Sequence, residues 1–90
     1  MKVRKHFFFS GQVQGVGFRY RAIHLARPLG LTGWVRNLWD GRVEMEVQGS
    51  ALAIEKLVSQ LMQQRFIVIE DIQARELPLE ERESSFIVVD

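Results

Sequence analysis

Apolar and polar residues alternate most regularly over residues 42–48, which read Arg-Val-Glu-Met-Glu-Val-Gln. This period of two predicts a strand whose three apolar side chains share the buried face. The Asp-Gly pair at 40–41 comes just before it and is a turn signal. Residues 32–38 are therefore predicted to pair with this strand as a hairpin.

Residues 3–10 predict an earlier strand, with Phe7 and Phe9 on one face and His6 on the other. We expect His6 to face solvent. Two further strands are predicted at 67–76 and 86–89. The acidic stretch between them contains a proline and is predicted to be a loop.

Two segments carry a helical period instead. The first apolar stripe consists of Phe18, Ala22, Leu25, Ala26 and Leu29, at helical spacing. Pro28 disfavours helix at the residue before it, so we expect this helix to end or kink near residue 26. The second stripe consists of Ile54, Leu57, Val58 and Leu61. Ser50 is predicted to cap that helix, which should end around residues 63–65.

The predicted order is strand, helix, strand, strand, helix, strand, followed by a short extra strand. Two helices over one face of an antiparallel sheet predict an α+β fold, the ferredoxin-like α/β sandwich with βαββαβ order. The length suits one domain, so residues 1–90 are predicted to form a single domain.

The composition limits the possible functions more than it limits the possible folds. Twelve basic and 11 acidic residues give a formal net charge of +1, which does not suggest a nucleic-acid or membrane protein. The chain has no cysteine, so it has neither a disulfide frame nor a thiolate nucleophile. Two histidines make a metal site improbable. With no signal peptide or membrane span in view, we expect a cytoplasmic protein.

Three glycines stand between the first strand and the first helix, at positions 11, 15 and 17. Such a junction aims backbone N–H groups and the positive end of the helix dipole at one place, which suits an anion. Arg19 follows, and its planar guanidinium can hold two oxygens of a phosphate or carboxylate. The spacing fits neither a Walker A loop nor a dinucleotide motif. On this chemistry alone, an anion site and a simple tight turn with a surface arginine are about equally favoured.

Two longer motifs change this balance. Residues 11–19 read Gly-x-Val-Gln-Gly-Val-x-Phe-Arg, and residues 29–37 read Leu-Gly-Leu-x-Gly-Trp-Val-x-Asn. Asp-Gly-x-Val-Glu follows at 40–44. Together these motifs resemble the acylphosphatase family over about the first half of the chain. The second half agrees in length and layout but carries little motif, and the family's Gly-Pro before the fourth strand is missing.

The resemblance implies the same fold and an acylphosphatase, which hydrolyses the carboxyl-phosphate bond of small acyl phosphates. By the family pattern, Arg19 would bind the phosphate and Asn37 would position the attacking water. Backbone N–H groups of the loop would complete the phosphate site, at Gln14, Gly15, Val16, Gly17 and Phe18. No metal or cofactor is implied, and a monomer is expected.

Two other functions stay open on the sequence. Acylphosphatase-like domains also occur in larger carbamoyl-transferring proteins, but a 90-residue chain favours a free-standing enzyme. RNA-recognition domains share this order of strands and display aromatic residues on the first and third strands. Phe8 fits that pattern, but the third strand presents acidic residues outward, so RNA binding is disfavoured. Trp39, beside the hairpin turn, is a candidate substrate contact.

Overall fold

Seven elements follow one another in the computed structural model, which describes residues 1–89. They are β1 (Lys2–Gln12), α1 (Phe18–Ala26), β2 (Thr32–Asn37), β3 (Val43–Ser50), α2 (Ala51–Met62), β4 (Val68–Leu77) and β5 (Phe86–Val88). This is the predicted order, including the short extra strand. The predicted helix end near residue 26 is confirmed, because Pro28 follows in a turn. The predicted cap is confirmed as well: the Ala53 backbone N–H donates to Oγ of Ser50 over 3.1 Å.

The five strands form one sheet in the order β4-β1-β3-β2-β5. The first four pair antiparallel, as predicted, in the β4-β1-β3-β2 arrangement of a ferredoxin-like sandwich. The extra strand β5 pairs parallel to β2, so the sheet as a whole is mixed. The α+β ferredoxin-like fold is therefore confirmed, with one parallel edge strand added to it.

The core lies between the sheet and the two helices. The predicted inward residues of β3, Val43, Met45 and Val47, are fully buried there. The rings of Phe9 on β1 and Phe18 on α1 meet with centroids 5.0 Å apart. Because Phe18 opens α1, this contact fixes the start of the helix, and therefore the glycine loop before it, against the sheet.

The other face of the sheet carries a polar network. His6 was predicted to face solvent, and that expectation is wrong, because only 6% of the residue is exposed. Strand alternation does put His6 on this face, but Glu44 of β3 lies beside it and accepts from its Nε2 over 2.7 Å. Arg36 of β2 donates to the other oxygen of Glu44 over 2.7 Å.

The connection between β4 and β5, residues 78–85, crosses this polar face from one edge of the sheet to the other. The backbone N–H of Glu80 donates to Oε1 of Gln48 over 2.7 Å, and Nε2 of Gln48 donates back to the Glu80 carbonyl over 2.9 Å. Arg4 donates to Glu83 over 2.8 Å. These contacts carry the chain to β5, which borders the cleft described next.

Candidate active site

The glycine loop turns from β1 into α1 through two residues with left-handed backbone. Gly15 has a φ of 72° and Gly17 a φ of 83°, which residues with a side chain rarely adopt. Gly17 is also the N-cap of α1, and no side chain caps the helix there. The first turn of α1 contains no acidic residue that could take the place of an anion.

The backbone N–H groups of this loop, those of residues 14–18, make no hydrogen bond to a backbone carbonyl of the described residues. Unpaired N–H groups at a helix N-terminus are usually satisfied by a side chain, by water or by a ligand. Several donors aimed at one place, together with the helix dipole, suit an anion with several oxygens.

A cleft of about 420 Å³ opens beside this loop. Arg19, in the first turn of α1, and Asn37, the last residue of β2, both line it. Asn37 pairs with the inward-facing Val43 and so points to the helix side of the sheet, toward the start of α1. The fold thus brings together two side chains that are 18 positions apart in the sequence.

The predicted site residues divide into two groups. Five of them line the cleft, namely Gly15, Gly17, Phe18, Arg19 and Asn37. The other two, Gln14 and Val16, belong to the same loop but are not among its lining residues. Trp39 is not among the lining residues either, and this residue is 98% exposed in the hairpin turn. The expectation that Trp39 contacts substrate is not supported.

Gln14 has a structural role that the sequence did not reveal. Its side-chain Nε2 donates to the carbonyl of Leu38 over 2.7 Å and to the carbonyl of Arg42 over 2.9 Å. Both carbonyls belong to the turn of the β2–β3 hairpin, which begins directly after Asn37. One side chain therefore joins the glycine loop to the segment that presents Asn37.

The hairpin turn is fixed from its own side as well. The carboxylate of Asp40 accepts from the backbone N–H of Arg42 over 3.1 Å and from its Nε over 2.8 Å. The backbone N–H group, followed by the guanidinium, holds the pKa of Asp40 below its ordinary value. The predicted Asp-Gly turn is confirmed, with the aspartate as its internal acceptor.

Arg19 is the charged side chain among the described residues that line the cleft, and the net charge of the chain is +1. The first acidic residue of the chain is Asp40, whereas lysines and arginines occur throughout the segment before it. Among residues 1–89, no acidic side chain lines the cleft. A cleft lined by an arginine and by no carboxylate of the described residues favours anions.

Sequence reasoning missed four further lining residues, Val13, Tyr20, Ile23 and Val88. Val13 lies within the glycine motif, and Tyr20 and Ile23 follow Arg19 by one and four positions, so nearness to the motif was the available signal. Val88 had no such signal, because its place depends on β5 pairing with β2 across the sheet.

Among the described residues, no group of three or more His, Cys, Asp or Glu side chains could hold a metal ion. Neither described helix has the length and apolar character needed to cross a membrane.

The fold and the cleft define a ferredoxin-like domain with a glycine loop and an arginine arranged for an anion. Comparison with known proteins gives the family. The family model described as Acylphosphatase matches residues 5–88. The chain belongs to the acylphosphatase family.

Individual relatives agree with this assignment. A curated acylphosphatase of Bifidobacterium longum is 59% identical over 59 residues, which are 66% of this chain and 61% of that protein. The chain thus matches about three fifths of the length of that relative. An acylphosphatase of Clostridium acetobutylicum is 41% identical over 80 residues, 88% of each chain. The crystal structure of acylphosphatase from Bacillus subtilis superposes with a TM-score of 0.90 at 34% identity, covering 98% of this chain and 99% of that one.

Proposed function

We propose that residues 1–90 act as one catalytic domain, an acylphosphatase that hydrolyses the carboxyl-phosphate bond of small acyl phosphates. One observation carries the proposal: Arg19, Asn37 and a loop whose N–H groups donate to no backbone carbonyl of residues 1–89 border the same cleft. The membership of the family supports it. The products are a carboxylate and inorganic phosphate.

In this proposal the phosphoryl group is bound by the guanidinium of Arg19 and by backbone N–H groups of residues 14–18. These donors are fixed before the substrate arrives, so they stabilise negative charge on the phosphoryl oxygens without reorganising. Phosphoryl transfer depends mainly on such positioning and charge stabilisation. The bidentate geometry of arginine also fixes the orientation of the phosphoryl group.

The carboxamide of Asn37 orients the attacking water, because it offers both a carbonyl acceptor and an amide donor. The oxygen of this water forms a bond to phosphorus. The bond between phosphorus and the carboxyl oxygen breaks, and the carboxylate leaves with the electron pair. The proton of the water passes to a phosphoryl oxygen of the substrate, so no protein base is needed. The mechanism includes no metal ion, cofactor or phosphoenzyme.

The test is hydrolysis of benzoyl phosphate with a chelator present. Wild type is compared with Arg19→Lys, which keeps the charge but loses the fork, and with Arg19→Ala. Losing a preorganised donor to developing charge costs about a hundredfold or more in rate, so both variants should fall at least that far. Arg75→Ala removes the same charge from an exposed position that pairs with His6 on the polar face of the sheet, away from the cleft, and it should keep the wild-type rate.

Three results would contradict the proposal. The first is a folded wild type that binds phosphate without hydrolysing benzoyl phosphate, which would make the chain a phosphate-binding module. The second is loss of the wild-type rate in chelator. The third is an Arg19→Ala protein as active as Arg75→Ala.

The proposal includes a monomer that acts on a small molecule without nucleic acid. The near balance of charge supports the second part. Light scattering and a gel shift with single-stranded RNA would test these two points, and tight binding that weakens with salt would contradict the second. The cytoplasmic location stays a prediction, to be tested by fractionation of cells that express the protein.

A further inference from the structure

The cleft is larger than a phosphate needs. At about 20–30 Å³ per non-hydrogen atom, close to the share of one water molecule, a phosphoryl group with its bridging oxygen takes roughly 100–150 Å³. Roughly 270 Å³ or more of the 420 Å³ therefore remains beside the phosphate end of the cleft. A benzoyl group fits this space at the same density, whereas an acetyl group leaves most of it to water.

Apolar side chains form the rest of the lining. We call this set the apolar wall, and it consists of Val13, Tyr20, Ile23 and Val88. Among residues 1–89, the polar groups of the lining are the side chains of Arg19 and Asn37 and the hydroxyl of Tyr20, and none carries a negative charge. Apart from that hydroxyl, the wall has no group that could solvate a charged acyl group, but it can exclude water from an apolar one.

The strand β5 brings Val88 to this position. Val88 pairs with Val35 of β2, so it lies on the same face of the sheet as Asn37, two residues further along β2. The backbone N–H of Val89 donates to the Val35 carbonyl over 3.0 Å and holds the end of β5 there. Val88 is nevertheless 37% exposed, which leaves surface for a ligand.

Tyr20 is held in place although it is 60% exposed. Its ring lies against the ring of His24, one helical turn later, with centroids 4.0 Å apart and planes inclined by 31°. Nδ1 of His24 donates to the backbone carbonyl of Tyr20 over 2.8 Å, which fixes the imidazole. A large aromatic face is thus fixed at the mouth of the cleft, next to Arg19, where the fold itself does not cover it.

We propose that the apolar wall binds the acyl group of the substrate, and that the enzyme therefore prefers acyl phosphates with aromatic or bulky apolar acyl groups over acetyl phosphate. Tyr20 is the main specificity residue, and Val88 forms the opposite side. This inference rests on the proposed function, because it assigns the part of the cleft that the phosphate does not use.

The experiment compares kcat/KM for benzoyl phosphate and acetyl phosphate in four proteins. They are wild type, Tyr20→Ala, Tyr20→Phe, which keeps the ring, and Leu52→Ala, an exposed apolar control on α2. The ratio of the two kcat/KM values should fall about fivefold to tenfold in Tyr20→Ala, the effect of losing one aromatic contact in a partly open site. It should stay at the wild-type value in Tyr20→Phe and in Leu52→Ala. In Tyr20→Ala, kcat/KM should fall much less for acetyl phosphate than for benzoyl phosphate.

A ratio that Tyr20→Ala leaves unchanged overturns the inference, and so does an equal fall for both substrates, which would mean a merely structural role. Calorimetric titration with benzylphosphonate and methylphosphonate, which cannot be hydrolysed in this way, gives a second readout. Tighter binding of benzylphosphonate that is lost in Tyr20→Ala supports the wall even if the wild type hydrolyses nothing. In that case the proposed activity fails and the apolar subsite stands. Equal binding of the two phosphonates by wild type overturns the subsite.

Discussion

Replacing Gln14 by alanine separates the two halves of the proposed site without removing either of its functional side chains. The Gln14 side chain joins the glycine loop to the turn after Asn37 through two hydrogen bonds from one nitrogen. In Gln14→Ala the loop and the hairpin lose this link. Arg19 and Asn37 both remain, so a change in activity reports their relative position.

The structure sets the size of the effect on stability. Two hydrogen bonds of about 0.5–1.5 kcal/mol each would give a loss of about 1–3 kcal/mol. Neither carbonyl is left without a donor, because the Leu38 carbonyl still accepts from Gly41 over 3.2 Å and the Arg42 carbonyl from Leu38 over 2.8 Å. The loss in free energy of unfolding should therefore lie near the lower end, about 1–2 kcal/mol. A domain of this length has a total stability of roughly 5–13 kcal/mol, so the variant should still fold.

The effect on activity should be larger than the effect on stability. A misplacement of about 1 Å between groups that must act together can cost about a hundredfold in rate. We therefore expect kcat/KM for benzoyl phosphate to fall about tenfold to a hundredfold in Gln14→Ala. Gln14→Glu should be worse in both respects, because it directs a carboxylate oxygen at two carbonyl oxygens.

The assays are urea unfolding, followed by circular dichroism, and steady-state hydrolysis of benzoyl phosphate. Gln12→Ala is the matched control, since Gln12 is an exposed glutamine at the end of β1, two positions earlier. A Gln14→Ala protein that equals Gln12→Ala in both its urea midpoint and its kcat/KM would refute the reasoning. A loss of stability with full activity would refute the link to Asn37 alone.

Two further predictions concern the polar face of the sheet and the strand β2. Burial opposes the charge on Glu44, but hydrogen bonds from His6 and Arg36 outweigh it and hold the pKa of this carboxyl below its ordinary value of 4.5. That stabilisation is present above about pH 4.5 and is lost as pH falls through the lower folded-state pKa. In urea titrations at several pH values, the free energy of unfolding should therefore fall less steeply toward acid pH for Glu44→Gln than for wild type. Equal slopes of unfolding free energy against pH would contradict this. In Gly33→Ala the new Cβ would lie 2.0 Å from a backbone carbonyl oxygen of β3 at a φ of 141°. The unfolding free energy of Gly33→Ala should fall by more than about 3 kcal/mol. The control Gly41→Ala should lose about 1–2 kcal/mol, because the φ there is also positive but a Cβ would meet open space. Equal losses in the two variants would count against the clash.

The elements that carry local periodicity could be predicted from the sequence. The alternation of apolar and polar residues in β3 and the apolar stripe of α2 each mark one buried face. A local pattern of residues is enough to find such a face. Pro28 likewise ended α1 where expected, because the restriction on the residue before a proline is local. The parallel edge strand was a different case. The three residues of β5 are too few to show a pattern of buried and exposed positions. The direction of β5 depends on how residues 78–85 cross the sheet.

Much of the candidate site followed from the motif, but its contacts did not. Arg19 and Asn37 were predicted to act together, and the fold brings them to one cleft. The hydrogen bonds of Gln14 could not be predicted, since a glutamine beside a glycine loop has many possible partners. The burial of His6 was missed for a related reason: the strand pattern gave its face, but only the pairing with β3 supplies Glu44 as its partner.

The central step of the proposed mechanism is the attack of water on the phosphorus of a phosphoryl group held by Arg19 and the loop. The most direct test is hydrolysis of benzoyl phosphate by the wild-type protein in water enriched in the heavy oxygen isotope, with chelator present and the uncatalysed reaction subtracted. Mass spectrometry of both products then locates the new oxygen. Because water attacks phosphorus in this mechanism, we expect the label in inorganic phosphate and none in benzoate. Label in benzoate would mean attack at the carbonyl carbon, and no hydrolysis above background would contradict the activity itself.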